Sequence, residues 1–590
     1  MSMRRLGWNL GLMGVLGVLA GCTVKQADNN NGQGGEAGGT QTGGAGGGVQ
    51  NIDNGACGTV PETGVCVDDS TLRTCIIPET QAPEYVLETK CGAGRKCEQL
   101  NKENPKATPL FGCVVSGECI PGATACSADL KQVRKCEGSG DQAKWTNTPC
   151  NTAASEQCVV GKPPAAATCM VLPASSGGTG TRVVGRIKFE YHAASKTGWG
   201  PTEVQDATDV YVAIFDNGEM IGKALSGYDP DTDTYPGDGT FKAYLSRAPT
   251  DQTEVWVWPM AFNYVTGQPL MAVAKLADPD VIQNPDSAKE YWAWGKSFGE
   301  VGSQTTGEET KLGDWTITEA EGSGALHIYR WVDYGLLRMG QNFPSAEQHS
   351  LIVYWDPTKD TPSCGACFCG PQCGGGKLAY GDNPGEIDSY DSWIALGGPP
   401  SDGSTEWARA VISHEFGHYV MYNYSLSPGE GGKHYVDAAS KPGLAYSEGW
   451  ATFFAQSNIG SPVYVDQQNG SFFWVDISKY NYSGGALDLP KADGPIDQNV
   501  NENVEAGMLW KLWASTADDP DGRNLQDPKM FDTVSNPKLV DGTMNRGYHT
   551  VDLVDFLDSA LCTSSATEED ITSIVSATGF PYNSADKVCQ

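Results

Sequence analysis

The stretch Glu406-Trp-Ala-Arg-Ala-Val-Ile-Ser-His-Glu-Phe-Gly-His-Tyr-Val-Met-Tyr-Asn-Tyr424 decides how the rest of the chain is read. It contains His414, Glu415 and His418, an H-E-x-x-H pattern. On a helix, side chains four apart lie on one face a turn from each other, so both imidazoles can reach a single ion. Glu415 then points beside that ion, where it can take a proton from a metal-bound water. The spacing supports a helix: Trp407, Val411, His414, His418 and Met421 fall on one stripe, and Glu406 sits near the start, where the helix dipole favours an acid. With 7 histidines in 590 residues, chance seldom sets two of them four apart around a glutamate.

A catalytic zinc takes three protein ligands and leaves a fourth position for water. One subclass of zinc protease continues with a glycine three residues after the second histidine and another histidine three further on. Met421 and Tyr424 occupy those places, which excludes it. Downstream, Ala445-Tyr-Ser-Glu-Gly-Trp-Ala-Thr-Phe-Phe-Ala-Gln456 is apolar at helical spacing, with Glu448 near its start. In these two segments the chain resembles the gluzincins, zinc metallopeptidases of thermolysin-like architecture, in which a glutamate on a second helix completes the site. The resemblance implies Zn2+ on His414, His418 and Glu448, with Glu415 as general base; His434 and a solvated acid at a helix start are the alternatives for the third place. Thermolysin-like relatives often carry an aspartate four residues after the third ligand, and this chain has Thr452 there, so other groups must orient the histidines. Glu502 and Glu505, ahead of an apolar helix ending near Trp513, are candidates, with an ordinary polar helix cap as the plain alternative. The oxyanion donor of such enzymes is a downstream histidine or tyrosine, which points to His549 first and Tyr548 second.

Elsewhere the sequence reads as an exported, multidomain chain. A formal charge of −32, from 72 acidic and 40 basic residues, argues against nucleic acid as a partner. Arg4 and Arg5 precede an apolar run too short to span a bilayer, and Leu19-Ala-Gly-Cys22 resembles a bacterial lipobox. Residues 1–22 therefore read as a lipoprotein signal with a membrane-anchoring lipid on Cys22, and Thr23 favours the outer membrane or cell surface. Residues 23–56, rich in Gly, Asn and Thr, read as a flexible tether.

Twelve cysteines between Cys57 and Cys169 fall into two similar sets of six, spanning 57–113 and 119–169. Leu72-Arg-Thr-Cys75 aligns with Val133-Arg-Lys-Cys136, and Tyr85 with Trp145. Modules this small need cross-links, and export permits them. A linker at 170–181 leads to period-two alternation at Ile187, Phe189 and Tyr191, then Val210, Val212 and Ile214, then Val255 to Trp258, which predicts a β-sandwich over 182–275. Asp229, Asp231, Asp233 and Asp238 crowd one loop that admits Ca2+, although Thr234 breaks the EF-hand pattern and a solvated hairpin is the favoured reading.

The expected fold is therefore an α+β zincin-like catalytic domain over 276–590, preceded by a β-sandwich and two disulfide-rich modules. Within it, 325–339 reads as an amphipathic helix, 351–355 as a strand, and Ser392-Trp-Ile-Ala-Leu396 as the edge strand that the resemblance places along the cleft. Cys364, Cys367, Cys369 and Cys373 favour disulfides over structural zinc in an oxidising exterior, and Cys562 is expected to bond Cys589. The leading functional expectation is an endopeptidase acting on exterior proteins. An aminopeptidase is disfavoured because the Gly-x-Met-Glu-Asn motif is absent. A surface adhesion protein with a structural or vestigial zinc site is the alternative from another class.

Overall fold

The computed structural model describes residues 21–22, 50–51, 59–60, 65–76, 85–90, 95–99, 111–115, 124–126, 131–138, 142–151, 156–159 and 168–171. From 181 onward it describes all but 230, 232–236, 263–268, 276–290, 344–348, 360, 362–364, 371–391, 399–403, 429, 431–433, 469–470, 491–499, 541, 543, 547–549 and 590. Among the described residues no helix is long and apolar enough to cross a membrane.

The two cysteine-rich stretches form small antiparallel sheets with a shared plan. Strands Val65–Asp68, Thr71–Ile76 and Tyr85–Lys90 make a meander, followed by a ribbon of Arg95–Gln99 and Phe111–Val115. Thr124–Cys126, Gln132–Glu137 and Lys144–Pro149 repeat the meander, and Glu156–Val159 with Thr168–Val171 repeats the ribbon. Cys97 lies opposite Cys113 as Cys158 lies opposite Cys169, so the sequence repeat is also a repeat of register. Cys66 is bonded to Cys97, which ties meander to ribbon across 31 residues of chain.

The β-rich region that follows has two packed sheets. Arg182–Ser195 pairs antiparallel with Gly198–Asp206 and Thr240–Tyr244, and parallel with Glu309–Ile317. The second sheet runs Glu219–Leu225, Tyr211–Asp216, Thr253–Trp258, Trp294–Ser297. Alternate residues Val183, Ile187 and Phe189 meet Val212, Ile214, Val255 and Val257 between the sheets, as period-two patterning requires. The boundary expected at 275 is displaced. The chain leaves this layer after Trp258, adds Met260–Phe262 and Pro269–Ala274 to the next sheet, and returns with Trp294–Ser297 and Glu309–Ile317. Alternation shows that a segment is a strand but not which sheet it joins, and a parallel neighbour arrives only after a long crossover.

The next sheet has the order 21–22, 367–369, 392–395, 351–354, 269–274, 260–262. Its three central strands are parallel, and Leu351–Tyr354 and Ser392–Ala395 are buried at every position, as expected of strands covered on both faces. Ser392–Ala395 is therefore interior and not the edge strand expected from the sequence. Antiparallel Cys367–Cys369 lies outside it, a three-residue strand too short to show periodicity. Cys367 and Cys369 are both disulfide-bonded.

Helices Gly324–Asn342 and Arg409–Tyr424 pack against this sheet, Pro442–Ile459 packs on Arg409–Tyr424, and Glu502–Trp513 packs on Pro442–Ile459. Arg409–Tyr424 is buried from Ala410 to Met421, so it is a core helix and has no single apolar stripe. Glycine allows its close crossing with the next helix: a Cβ on Gly417 would lie 2.8 Å from the Ala451 Cα. Arg338, from the first helix, reaches Asp527 with Nε at 2.9 Å and Nη2 at 2.6 Å, anchoring the C-terminal helices. The last of these, Glu568–Thr578, is spanned by the Cys562–Cys589 bond.

His327 joins the first helix to the turn Thr405–Trp407 that precedes the H-E-x-x-H segment. Its Nδ1 contacts the Glu406 carbonyl at 2.6 Å, and Trp331 Nε1 donates to its Nε2 at 3.2 Å, which specifies a neutral ring with one donor and one acceptor. Burial pushes its pKa down to about 3. Glu406 itself is buried before the helix begins, and burial holds it as the neutral acid up to about 8, so it is not the dipole-stabilised anion expected. The unfolded chain protonates His327 near pH 6.5 while the folded chain does not, so this residue makes stability fall as pH drops from about 6.5 toward 3. Denaturation midpoints measured across that window should show a shallower pH slope in His327→Asn than in the parent, by up to about 1.4 kcal/mol per pH unit. Parallel slopes would exclude a neutral buried His327.

Candidate zinc centre

His414 and His418 project from the first of the two crossed helices and Glu448 from the second. His414 Nε2 lies 3.1 Å and His418 Nε2 3.3 Å from Glu448 Oε2, and the two Nε2 atoms are 3.2 Å apart. Zinc bonds of about 2.0 to 2.1 Å in a tetrahedral site put ligand atoms about 3.3 to 3.4 Å apart, so the three atoms have nearly the spacing of one tetrahedral face. Among the described residues this is the one group of three or more His, Cys, Asp or Glu residues whose ligand atoms lie close enough to share an ion, all within 4.8 Å.

The protonation states fit that use. Burial first, then the other imidazole, lowers His414 to about 4 despite Glu448 beside it, so its ring is neutral at neutral pH. Burial alone would raise Glu448, but His418, His434 and His414 hold its carboxyl well below the usual range, so it is anionic. An anion and the neutral His414 ring thus face one point together with His418 Nε2, a donor set that suits a divalent cation. Glu448 Oε1 and both Glu415 oxygens are buried without a hydrogen-bond partner, an arrangement that a bound ion and its water would satisfy. Burial, then the charge of Glu448, pushes Glu415 well above an ordinary carboxyl, with the Phe368 amide pulling the other way. A dication close by would draw it back toward the anion.

Hydroxyls orient the rings. Thr452 Oγ1 is 3.1 Å from His414 Nδ1, and Ser447 Oγ is 3.4 Å from His418 Nδ1, so each Nδ1 can donate outward and leave Nε2 for metal. Thr452 stands one turn beyond Glu448, and that spacing was the available sequence signal. Glu502 and Glu505 do not take this part. Glu502 Oε2 pairs with His434 Nδ1 at 2.7 Å, and His434 does not belong to the group whose ligand atoms converge. Glu505 is buried against Gly449 with no hydrogen bond, and burial, then Asp552 and Glu502, raise its pKa well above the usual range. Asn501 caps the helix, accepting from Asn503 and Val504 amides at 2.9 and 3.0 Å.

Tyr548 and His549 lie outside the described residues. Sequence reasoning missed Tyr464, whose ring stands edge-on to His414 with centroids 6.1 Å apart. Burial and the acids Asp466, Glu415, Glu502 and Glu448 push its phenol well up, so it remains an O–H donor. Phe368, on the short strand outside Ser392–Ala395, stacks on His418 at 6.4 Å. The calcium loop is not supported. Lys242 Nζ sits 2.8 Å from Asp229 and 2.7 Å from Asp231, taking the cation's place, and Asp238 caps the Thr240 amide at 3.0 Å.

The crossed helices and their His-His-Glu face define a candidate zinc-binding centre of the H-E-x-x-H type. Residues 391–539, which carry both helices, match the family described as the Mycolysin C-terminal domain. That match points to a zinc metallopeptidase of the mycolysin and thermolysin type. No curated protein matches the chain. Thr452→Val, which keeps shape and removes the hydroxyl, should weaken zinc binding by about 10 to 100-fold in a chelator competition titration. An unchanged affinity would show that this hydroxyl does not orient His414.

Proposed function

We propose that the chain is a zinc-dependent endopeptidase that cleaves proteins outside the cell. The observation that carries this reading is Glu415: a fully buried carboxyl that no side chain hydrogen-bonds, one residue along the helix from His414. A purely structural zinc site has no need of such a base, which disfavours the adhesion alternative. Bound at His414, His418 and Glu448, zinc would supply Lewis acidity, activating water and polarising a carbonyl. Glu415 takes the proton from that water and later delivers it to the leaving amine. Tyr464, whose ring stands beside His414 and whose phenol keeps its proton, joins His549 and Tyr548 as a candidate donor to a developing oxyanion.

Export and anchoring belong to the same proposal. The lipobox-like Leu19-Ala-Gly-Cys22, the Gly-rich tether and cysteine-rich modules support a lipid-held protein of the outer membrane or cell surface.

Purified protein should hydrolyse casein and lose that activity to a chelator. Glu415→Gln should keep one zinc per chain while turnover falls by about 10² to 10⁴-fold. Turnover equal to the parent would rule out Glu415 as the base, and a zinc-loaded parent without turnover would sink the peptidase reading.

A further inference from the structure

The β-rich layer sends one element across to the site. Strands Arg182–Ser195 and Gly198–Asp206 form a long hairpin whose turn is Lys196-Thr197, and its tip rests on a second hairpin, Val463–Gln468 with Ser471–Asp476. Register separates the two faces of that second hairpin. Tyr464 lies opposite Val475 and Asp466 opposite Phe473, on the face that turns Tyr464 to His414. Gln467 lies opposite Phe472 and Val465 opposite Trp474, on the other face.

The tip grips that other face. Trp199 Nε1 donates to Gln467 Oε1 at 2.8 Å, and its ring meets Phe472 edge-on at 4.8 Å. Lys196 Nζ sits 3.8 Å from the centroid of the Trp474 ring and 3.5 Å from the buried Asp476 carboxylate. The turn is stiff, with Ser195 Oγ donating to the Gly198 carbonyl at 2.8 Å and Gly198 at φ 133°, which a side chain would strain. Gripped face and site face belong to the same two strands, so a shift of one moves the other.

We propose that Lys196 and Trp199 are positioning residues of the active site: the hairpin tip clamps Val463–Asp476 from behind and so fixes the Tyr464 wall beside His414, where substrate binds. This rests on the peptidase reading. It assigns the β-rich layer a share in shaping the cleft, through contacts 268 residues apart in sequence.

The test compares full-length Trp199→Ala, Trp199→Phe and Lys196→Ala with the parent, each zinc-loaded. Trp199→Ala should speed amide hydrogen exchange in 463–468 and 471–476. It should also raise KM for an extended peptide by about fivefold with kcat changed less than about twofold and zinc content unchanged. Lys196→Ala should act in the same direction, and Trp199→Phe, which keeps the ring contact, should recover most of the KM. Unchanged exchange overturns the clamp, and so does faster exchange with parental KM. If the parent itself shows no zinc-dependent turnover, the peptidase reading fails separately. The Co2+-substituted proteins then decide: a visible spectrum altered in Trp199→Ala supports the clamp on the His414 wall, and an identical one overturns it.

Discussion

Everything at the centre depends on how closely two helices cross. His414 and His418 come from one and Glu448 from the other, so their ligand atoms meet only if the backbones approach within a glycine's width at Gly417 and Ala451. A second glycine, Gly449, extends the contact to the next helix, where a Cβ would lie 2.8 Å from the Glu502 carbonyl. The helices can be buried along their lengths because the glycines let them pack without side chains between them.

Such packing has an electrostatic consequence. Glu415, Glu448 and Glu505 are all buried, and the structure treats each differently. Imidazoles keep Glu448 ionised, whereas Glu415 and Glu505 are driven toward the neutral acid. The polar groups that do find partners fix geometry: Thr452 on His414, Glu502 on His434, and Glu406's carbonyl on His327. Orientation of the ligand rings is thus assigned to hydroxyls, and the acids nearby are left for other tasks.

The β-rich layer and the helical region are not independent beads. One hydrophobic cluster runs from Val183 to Phe580, and the chain passes from one sheet to the other and back. Domain boundaries read from alternation therefore fall too early. The Trp199 and Lys196 contacts extend that continuity to the hairpin that carries Tyr464.

The sequence by itself determined whatever depends on neighbours in the chain. Two histidines four apart around a glutamate specify one helical face, alternating apolar residues specify strands at 182–195, 211–216 and 253–258, and paired cysteine sets specify a repeat. Glu448 was legible only through resemblance to a family, because a glutamate 30 residues beyond His418 has no local signature that ties it to the pair. Only the tertiary structure decided that Thr452 orients His414, that Glu502 turns to His434, that Cys367–Cys369 lies outside Ser392–Ala395, and that Tyr464 faces the site. Each of these is a contact between segments whose separation along the chain carries no periodicity, so it is set by packing and not by pattern.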